Sequence, residues 1–513
     1  MMIGKAILVV SCVVTVSAGP KPDGCEDVTV VGGGVGGAFA SWRLRHRGLH
    51  VGLYELSDRL GGRFYTHIFP QAPDIPIELG AMRFMRETHK VLYRTIQEVG
   101  LRTVLFERKY PGIVDSFYLR GRRLSIEDLR TDNVPYNLRS CESYGLESIH
   151  RYLTQKTNFS GNMDSLEQER PFLISEDGEL MSNQTLQEFY RKYLSPEAIE
   201  MIFPIGFALD LDMPAATGLY FMSANGTLPY YEIMTITDGM QQLPEQLVKQ
   251  FLTTSRYHSL HMKHKLISIT RNTRSGYNLK FNRTATGHLV TVCSRKVILA
   301  VPIPALLQIN WDVIQTPRIQ QNLNTITQLM AVKIYLVYDH PWWRDIISSV
   351  TDRQNQTPRS HGNIQSDLPL HWTYDFGVSA KTGKAVLLVA YTSNPMWREL
   401  QKHGDRRWAG HYSVSTEAIR HTHLYLSKLY NIPVTTIPFP IDGRISQWDE
   451  NPYNGSFFIW KTGVDWGRVW RTVNKPSALD DVFIASGAYW NYQSDAWSEN
   501  CLNAINEMLQ KYF

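Results

Sequence analysis

Three charged residues stand where charge is costly, and each points to a different piece of chemistry. In IELGAMRFMRE, residues 77–87, Arg83 follows Leu79, Gly80, Ala81 and Met82 and precedes Phe84. A guanidinium in such company needs an anion. Its planar fork of donors suits a carboxylate, gripped through two parallel hydrogen bonds in a geometry lysine cannot copy. That anion is either an internal acid such as Glu78 or one that arrives on a small-molecule substrate. Lys333, in ITQLMAVKIYLVYDHPWW, lies in a strand-like run of apolar neighbours. An ammonium there needs an anion, a water network or a cofactor, although strand alternation also allows it to face solvent. Glu55 closes the run HVGLYEL, about 20 residues beyond a cluster of glycines, where a carboxylate can accept hydrogen bonds from ribose hydroxyls.

The elements that must hold these residues are legible around them. DVTVV, residues 27–31, is a short β-branched run and reads as a buried strand. Gly32, Gly34 and Gly37 then complete G-x-G-x-x-G before the helix AFASWRLRHRG and the second strand HVGLYEL. The first glycine permits the tight turn, the second a close approach to a pyrophosphate, and the third helix–strand packing. The helix N-terminus faces the phosphates. DRLGGRFYT follows, with Gly61 and Gly62 before Arg63. That order suits a backbone held against an isoalloxazine and a phosphate, with Arg63 as the anion partner.

Residues 85–225 carry helix-like patterns, and TITDGMQQLPEQLVKQF, residues 235–251, reads as a turn into a helix that re-enters the nucleotide unit. KLISIT, YNLKF and HLVTV read as strands, and RKVILAVPIPAL as a buried strand stopped by Pro302 and Pro304. WDENPYNGSFFIWKTG, residues 448–463, is rich in aromatic residues and glycine, as expected around a flat ring system, though core packing explains it nearly as well. The fold class expected is α/β: a discontinuous Rossmann-like cofactor domain over 27–95, 235–325 and 460–513, with a mixed-sheet substrate domain and helical subdomain over 96–234 and 326–459. His258, His261 and His264 recur every three residues but lack a cysteine or carboxylate at ligand spacing, so no metal is expected. The chain has no G-x-S-x-G, C-x-x-C or H-E-x-x-H, which sets aside common hydrolase and zinc-enzyme readings.

Composition narrows the setting. The net charge of +5 is spread along 513 residues without a basic run, which gives no footing for nucleic acid. Lys5, the apolar run AILVVSCVVTV and the small residues of VSAGP read as a secretory signal over residues 1–18, too short for a membrane span. Loss of that segment leaves Cys25, Cys141, Cys293 and Cys501, enough for two bridges in any of three connectivities, or for free thiols. N-x-S/T sequons begin at Asn158, Asn183, Asn225, Asn282, Asn355 and Asn454. A secreted, extracellular glycoprotein without a membrane span is expected; homo-oligomerisation stays open.

Taken together, VVGGGVGG, DRLGGRFYT, ELGAMRF, VPYNL, TDGMQQLP, RKVILAVP, VKIYLVYDHPWW and AWSENCLNAINEMLQKYF resemble the flavin amine oxidase superfamily. The resemblance is closest to the gastropod secreted L-amino acid oxidases of the escapin, achacin and aplysianin-A type. It implies an FAD enzyme that oxidises L-amino acids with dioxygen and releases hydrogen peroxide in antimicrobial defence. Carried over by residue, it implies that Gly32, Gly34, Gly37 and Glu55 hold the ADP half and Arg63 the phosphate region. Gly80, Ala81, Met82 and Arg83 would lie along the flavin, with Arg83 on the substrate carboxylate. Leu266 would bond adenine through its backbone, Lys333 would place a water near the flavin, and Tyr374 would face the carboxylate. Trp460 and Trp497 would line the flavin side. The chain departs from the family at Ser486, in a glycine position, at Ala488, in an acidic one, and at Asn500. A catalytically weakened storage or binding glycoprotein is therefore an alternative, as is an amine or polyamine oxidase.

Overall fold

A computed structural model describes residues 24–106, 116–131, 133–143, 145–159, 169, 172–205, 210–219, 232–272, 276–351, 363–401, 411–449, 455–490 and 497–513. The signal segment at 1–18 and the sequons at Asn225, Asn355 and Asn454 lie outside them. Asn158 and Asn183 are exposed, and Asn282 is half-buried.

The first sheet is built from β1 (Cys25–Val31), β2 (Val51–Tyr54), β3 (His258–His261), β4 (His264–Arg271), β5 (Tyr277–Arg283) and β6 (Leu289–Leu299), in the spatial order β3-β2-β1-β6-β5-β4. The strands from β3 to β6 run parallel, and the short strand Val482–Ile484 adds to β6 in the same sense. β4, β5 and the first half of β6 form an antiparallel ribbon instead. All four residues of β2 are buried, as a parallel strand covered on both faces requires. The cover includes α1 (Val35–Leu44), α2 (Gln242–Thr254) and α3 (Trp497–Tyr512), which share one core with β1 and β2. α1 can lean this close only because residue 37 is glycine: a Cβ there would sit 1.8 Å from the Gly32 carbonyl oxygen.

The second sheet has eight strands. At its centre β7 (Val332–Tyr338) lies between β9 (Ala385–Thr392) and β10 (Asp442–Gln447), and β8 (Trp372–Val378) flanks β9. Asn363–Ser366, Ser116–Leu119 and Arg122–Ser125 extend one edge, and His411–Ser413 the other. All seven residues of β7 are buried, which removes the solvent-facing alternative for Lys333. Helices Gly145–Gln155, Leu186–Tyr193 and Pro196–Ile205 contribute to a further core that Phe457 and Ile459 enter. The helix at Leu186 begins with a capping box between Thr185 and Glu188. A three-stranded sheet of Phe84–Met85, Ile233–Ile236 and Thr103–Leu105 ties together chain on both sides of residue 95.

Of the bridges open to four cysteines, one forms. Cys25 and Cys293 face each other across β1 and β6, while Cys141 and Cys501 are free. The three spaced histidines are used structurally. The Nδ1 atoms of His258 and His264 bond the carbonyls of Phe251 and Met262, and His261 stacks on Tyr54 at 4.4 Å. Among the described residues there is no metal-ligating group of three and no helix long and apolar enough to cross a membrane.

Candidate active site

A cavity of ≈ 410 Å³ draws its walls from both sheets. At one end the wall is Gly32, Gly34, Glu55 and Leu266, at the C-terminal side of β1 and β2 where open α/β sheets bind ligands. Gly61, Gly62 and Arg63 follow, and then Gly80, Ala81, Met82 and Arg83. Lys333, Tyr391, Ser446 and Trp448 come from the second sheet and its margin.

At the glycine end, Glu55 is held firmly. Its Oε2 accepts the Gly33 N–H at 2.6 Å, and its Oε1 accepts the Ser57 N–H and hydroxyl at 2.8 and 2.7 Å. Carboxylate oxygens have further lone pairs, so these bonds orient the group without exhausting it. Arg63 donates through Nη1 to the Ser456 carbonyl at 2.6 Å, and burial lowers its pKa. The segment 79–81 is laid against it: the Leu79 N–H bonds Tyr65 O, and the Ala81 N–H bonds Arg63 O, each at 2.9 Å. That approach is why residue 80 has no side chain, since a Cβ would lie 1.7 Å from Arg63 O.

At the other end Arg83 is half-buried, with its guanidinium 5.5 Å from the Phe106 ring and 5.7 Å from those of Trp372 and Tyr374. No acid of the described residues makes an ion pair with it, Glu78 included. The Glu78 carboxylate instead accepts bonds from Thr66 Oγ1 and the Met240 N–H. Lys333, 4% exposed, donates through Nζ to the carbonyls of Glu78 at 3.1 Å and Gly80 at 2.5 Å, and lies 4.9 Å from the Tyr391 ring. Burial, opposed by Glu78 and reinforced by Arg83, pulls its pKa down to about 7. Tyr391 is pushed up to about 12 by burial, against the pull of Arg83.

Most of the residues singled out from sequence therefore meet in one cavity: Gly32, Gly34, Glu55, Arg63, Gly80, Ala81, Met82, Arg83, Leu266 and Lys333. Gly37 serves behind it, in helix packing. Two of the expected aromatics stand off the lining itself. Trp460 is fully buried outside the lining, stacked on Trp466 at 6.2 Å and edge-on to Tyr489 at 5.9 Å, while Phe457, Phe458 and Ile459 before it reach the cavity. Tyr374 is fully buried as well; its ring reaches Arg83 but does not line the cavity. Tyr391, directly opposite Lys333 in the β7–β9 pairing, does line it near Lys333. The side chain of Trp497 lies outside the described ones, though its helix lends Ser498, Asn500 and Cys501 to the wall.

Ser486, Gly487 and Ala488 also line the cavity, and the Ser486 hydroxyl accepts the Ala488 N–H at 3.3 Å. Glu499, on the same helix α3, bonds the N–H groups of Val91 and Leu92 at 3.0 and 2.8 Å and so caps the helix Lys90–Glu98. Trp448 went unnoticed as an individual residue; its Nε1 donates to Leu79 O at 2.8 Å. The residues present fit the FAD expected from sequence. α1 and α3 begin at the cavity, glycines leave its wall without side chains, and one fixed carboxylate acceptor and one buried guanidinium donor complete a set of partners for a dinucleotide.

A family model described as flavin containing amine oxidoreductase matches residues 36–495. Achacin from Lissachatina fulica is 30% identical, over 98% of this chain and 96% of its own. Aplysianin-A from Aplysia kurodai is 28% identical, over 95% and 90%. A solved structure of putrescine oxidase bound to putrescine superposes with a TM-score of 0.67 at 18% identity, over 95% of this chain and 98% of that one, and so shares the fold.

Proposed function

The chain belongs to the flavin-containing amine oxidoreductases, and from that premise we propose that it is a secreted L-amino acid oxidase. It is an oxidoreductase with FAD as its cofactor. The reaction is L-amino acid, dioxygen and water to 2-oxo acid, ammonia and hydrogen peroxide. Arg83 carries this reading: a guanidinium in the cavity, ringed by three aromatic faces, without an acid partner among the described residues. An amine substrate gives it nothing to bind, whereas an amino acid brings a carboxylate. The rings exclude water and strengthen a bidentate ion pair.

Fixed at its carboxylate, the substrate has few orientations left, and that loss of freedom supplies much of the rate. Tyr391 stands beside Arg83 on the wall and limits the substrate's rotation. Lys333 Nζ, poised near neutrality, can hold a proton or yield it. In this reading it positions the water that hydrolyses the imine. Bound FAD would supply the two-electron redox chemistry between the substrate and dioxygen. Glu55, Arg63 and the glycine wall hold it in this reading. Secretion and an antimicrobial role follow from the likeness to the gastropod proteins.

The test is direct. The chain from residue 19 onward is expressed, its flavin absorbance recorded, and peroxide assayed with L-Lys, L-Arg, L-Leu, L-Phe and putrescine. Peroxide from an amino acid supports the proposal, and turnover of putrescine alone replaces it with an amine oxidase. One observation favours a second reading. Ser486 and Ala488 place no acid on the cavity wall, so a colourless protein, silent after FAD is added, would identify a weakened relative with a storage or binding role.

A further inference from the structure

Arg59 takes no part in the chemistry above, yet it touches both halves of the cavity wall. Its Nη1 and Nη2 donate to the carbonyls of Leu60 and Gly62 at 3.3 and 2.8 Å, on either side of Gly61 in the cavity-lining turn. The same guanidinium lies 4.0 Å above the Tyr65 ring and 5.7 Å from the Trp448 ring. Tyr65 meets Trp448 edge-on at 6.5 Å. Trp448 is itself tethered, through Nε1, to the carbonyl of Leu79, the residue before Gly80, whose own carbonyl receives Lys333 Nζ. The Leu79 N–H returns to Tyr65 O. One side chain thus closes a loop of contacts from the glycine turn to the tryptophan near Lys333.

We propose that Arg59 is a positioning residue that couples the cofactor-side turn Leu60–Gly62 to Trp448, fixing the tilt of the indole against the cavity. A planar cation is required for this. It must bridge two carbonyls in its own plane while offering its face to an aromatic ring, and an ammonium can do only part of either. The Nε1 bond to Leu79 O fixes one edge of the indole, and the guanidinium and Tyr65 bear on its ring plane. The inference rests on the flavin oxidase family and not on the choice of amino acid as substrate.

The experiment is a double-mutant cycle on Arg59→Met and Trp448→Leu in the FAD-loaded protein, with Arg59→Lys as a third variant. Two readouts are taken: the visible circular dichroism of the bound flavin, and kcat/KM with whichever substrate the parent oxidises. Arg59→Met is expected to change the dichroism and to lower kcat/KM about tenfold. In the Trp448→Leu background it should cost less than about twofold, because the partner is gone. Effects that multiply, or an Arg59→Met protein with parental dichroism and turnover, would overturn the proposal. Should the methionine variant fail to load flavin, Arg59→Lys decides: reduced turnover with altered dichroism supports the coupling, and parental behaviour overturns it. The dichroism is read without substrate, so a failure of the amino acid reading leaves it interpretable.

Discussion

Replacing Lys333 with methionine should change stability in a direction that depends on pH. In the folded protein the ammonium is pulled from its usual 10.5 down to about 7, first by burial and next by the balance of Glu78 against Arg83. Between those two values the unfolded chain holds a proton that the folded chain lacks, so stability of the parent rises with pH across that window. At about 1.36 kcal/mol per pKa unit, the buried lysine costs the parent roughly 5 kcal/mol at pH 6 and almost nothing at pH 10.5. Methionine removes that cost, but it also leaves the carbonyls of Glu78 and Gly80 without the Nζ donor, worth about 1–3 kcal/mol. The variant is therefore expected to be more stable than the parent by about 3 kcal/mol at pH 6 and less stable by about 2 kcal/mol at pH 10.5. With an unfolding entropy near 2 cal/mol/K per residue, this is a Tm difference of roughly +3 °C turning to −2 °C. The assay is thermal unfolding of the flavin-free parent and variant across pH 6–10.5. A difference of the same sign and size at both ends would refute the reasoning, since it would mean that Lys333 titrates where an exposed lysine does.

Arg83→Lys should lower kcat/KM for L-amino acids by about 100-fold or more, because a fork becomes a point charge; steady-state peroxide assays would reveal an unchanged value. Gly80→Ala places a Cβ 1.7 Å from Arg63 O, and is expected to yield protein that does not retain FAD, measured as the 450 nm to 280 nm absorbance ratio. Cys25→Ser with Cys293→Ser removes a bridge spanning 268 residues of sequence and should cost about 3–5 kcal/mol, visible as a lower denaturation midpoint. Ala488→Glu restores an acid on the cavity wall beside Ser486 and should tighten FAD by about five- to 100-fold, read by titrating FAD into the flavin-free protein.

The nucleotide end was legible because its determinants are local: a strand, three glycines, a helix and a carboxylate within 31 residues, Cys25–Glu55. Arg83 was legible for a related reason, since an arginine amid Gly80, Met82 and Phe84 is conspicuous in any fold. Where interpretation failed, the missing information was long-range. A period of two says that Lys333 and Tyr335 share a face but not which face, and β7 turns out to be buried on both. Tyr374 and Tyr391 are equally plausible aromatics until the β7–β9 register puts Tyr391 opposite Lys333, with irregularities in the β8–β9 pairing on either side of Tyr374. Spacing alone likewise gave no way to pair Cys25 with Cys293, which requires knowing that β1 and β6 are neighbours.

That the strand Val482–Ile484 and helix α3 complete the first sheet and the cavity wall has a consequence for biosynthesis. β1 emerges from the ribosome more than 400 residues ahead of the strand that flanks β6 and of Ser498, Asn500 and Cys501. The nascent chain is thus incapable of closing its flavin cavity until Cys501 has been made, because contacts this distant in sequence form only when both partners are available. For a flavin-dependent oxidoreductase, order of synthesis then acts as a safeguard: no flavin chemistry can begin on a chain whose cavity wall is still being made.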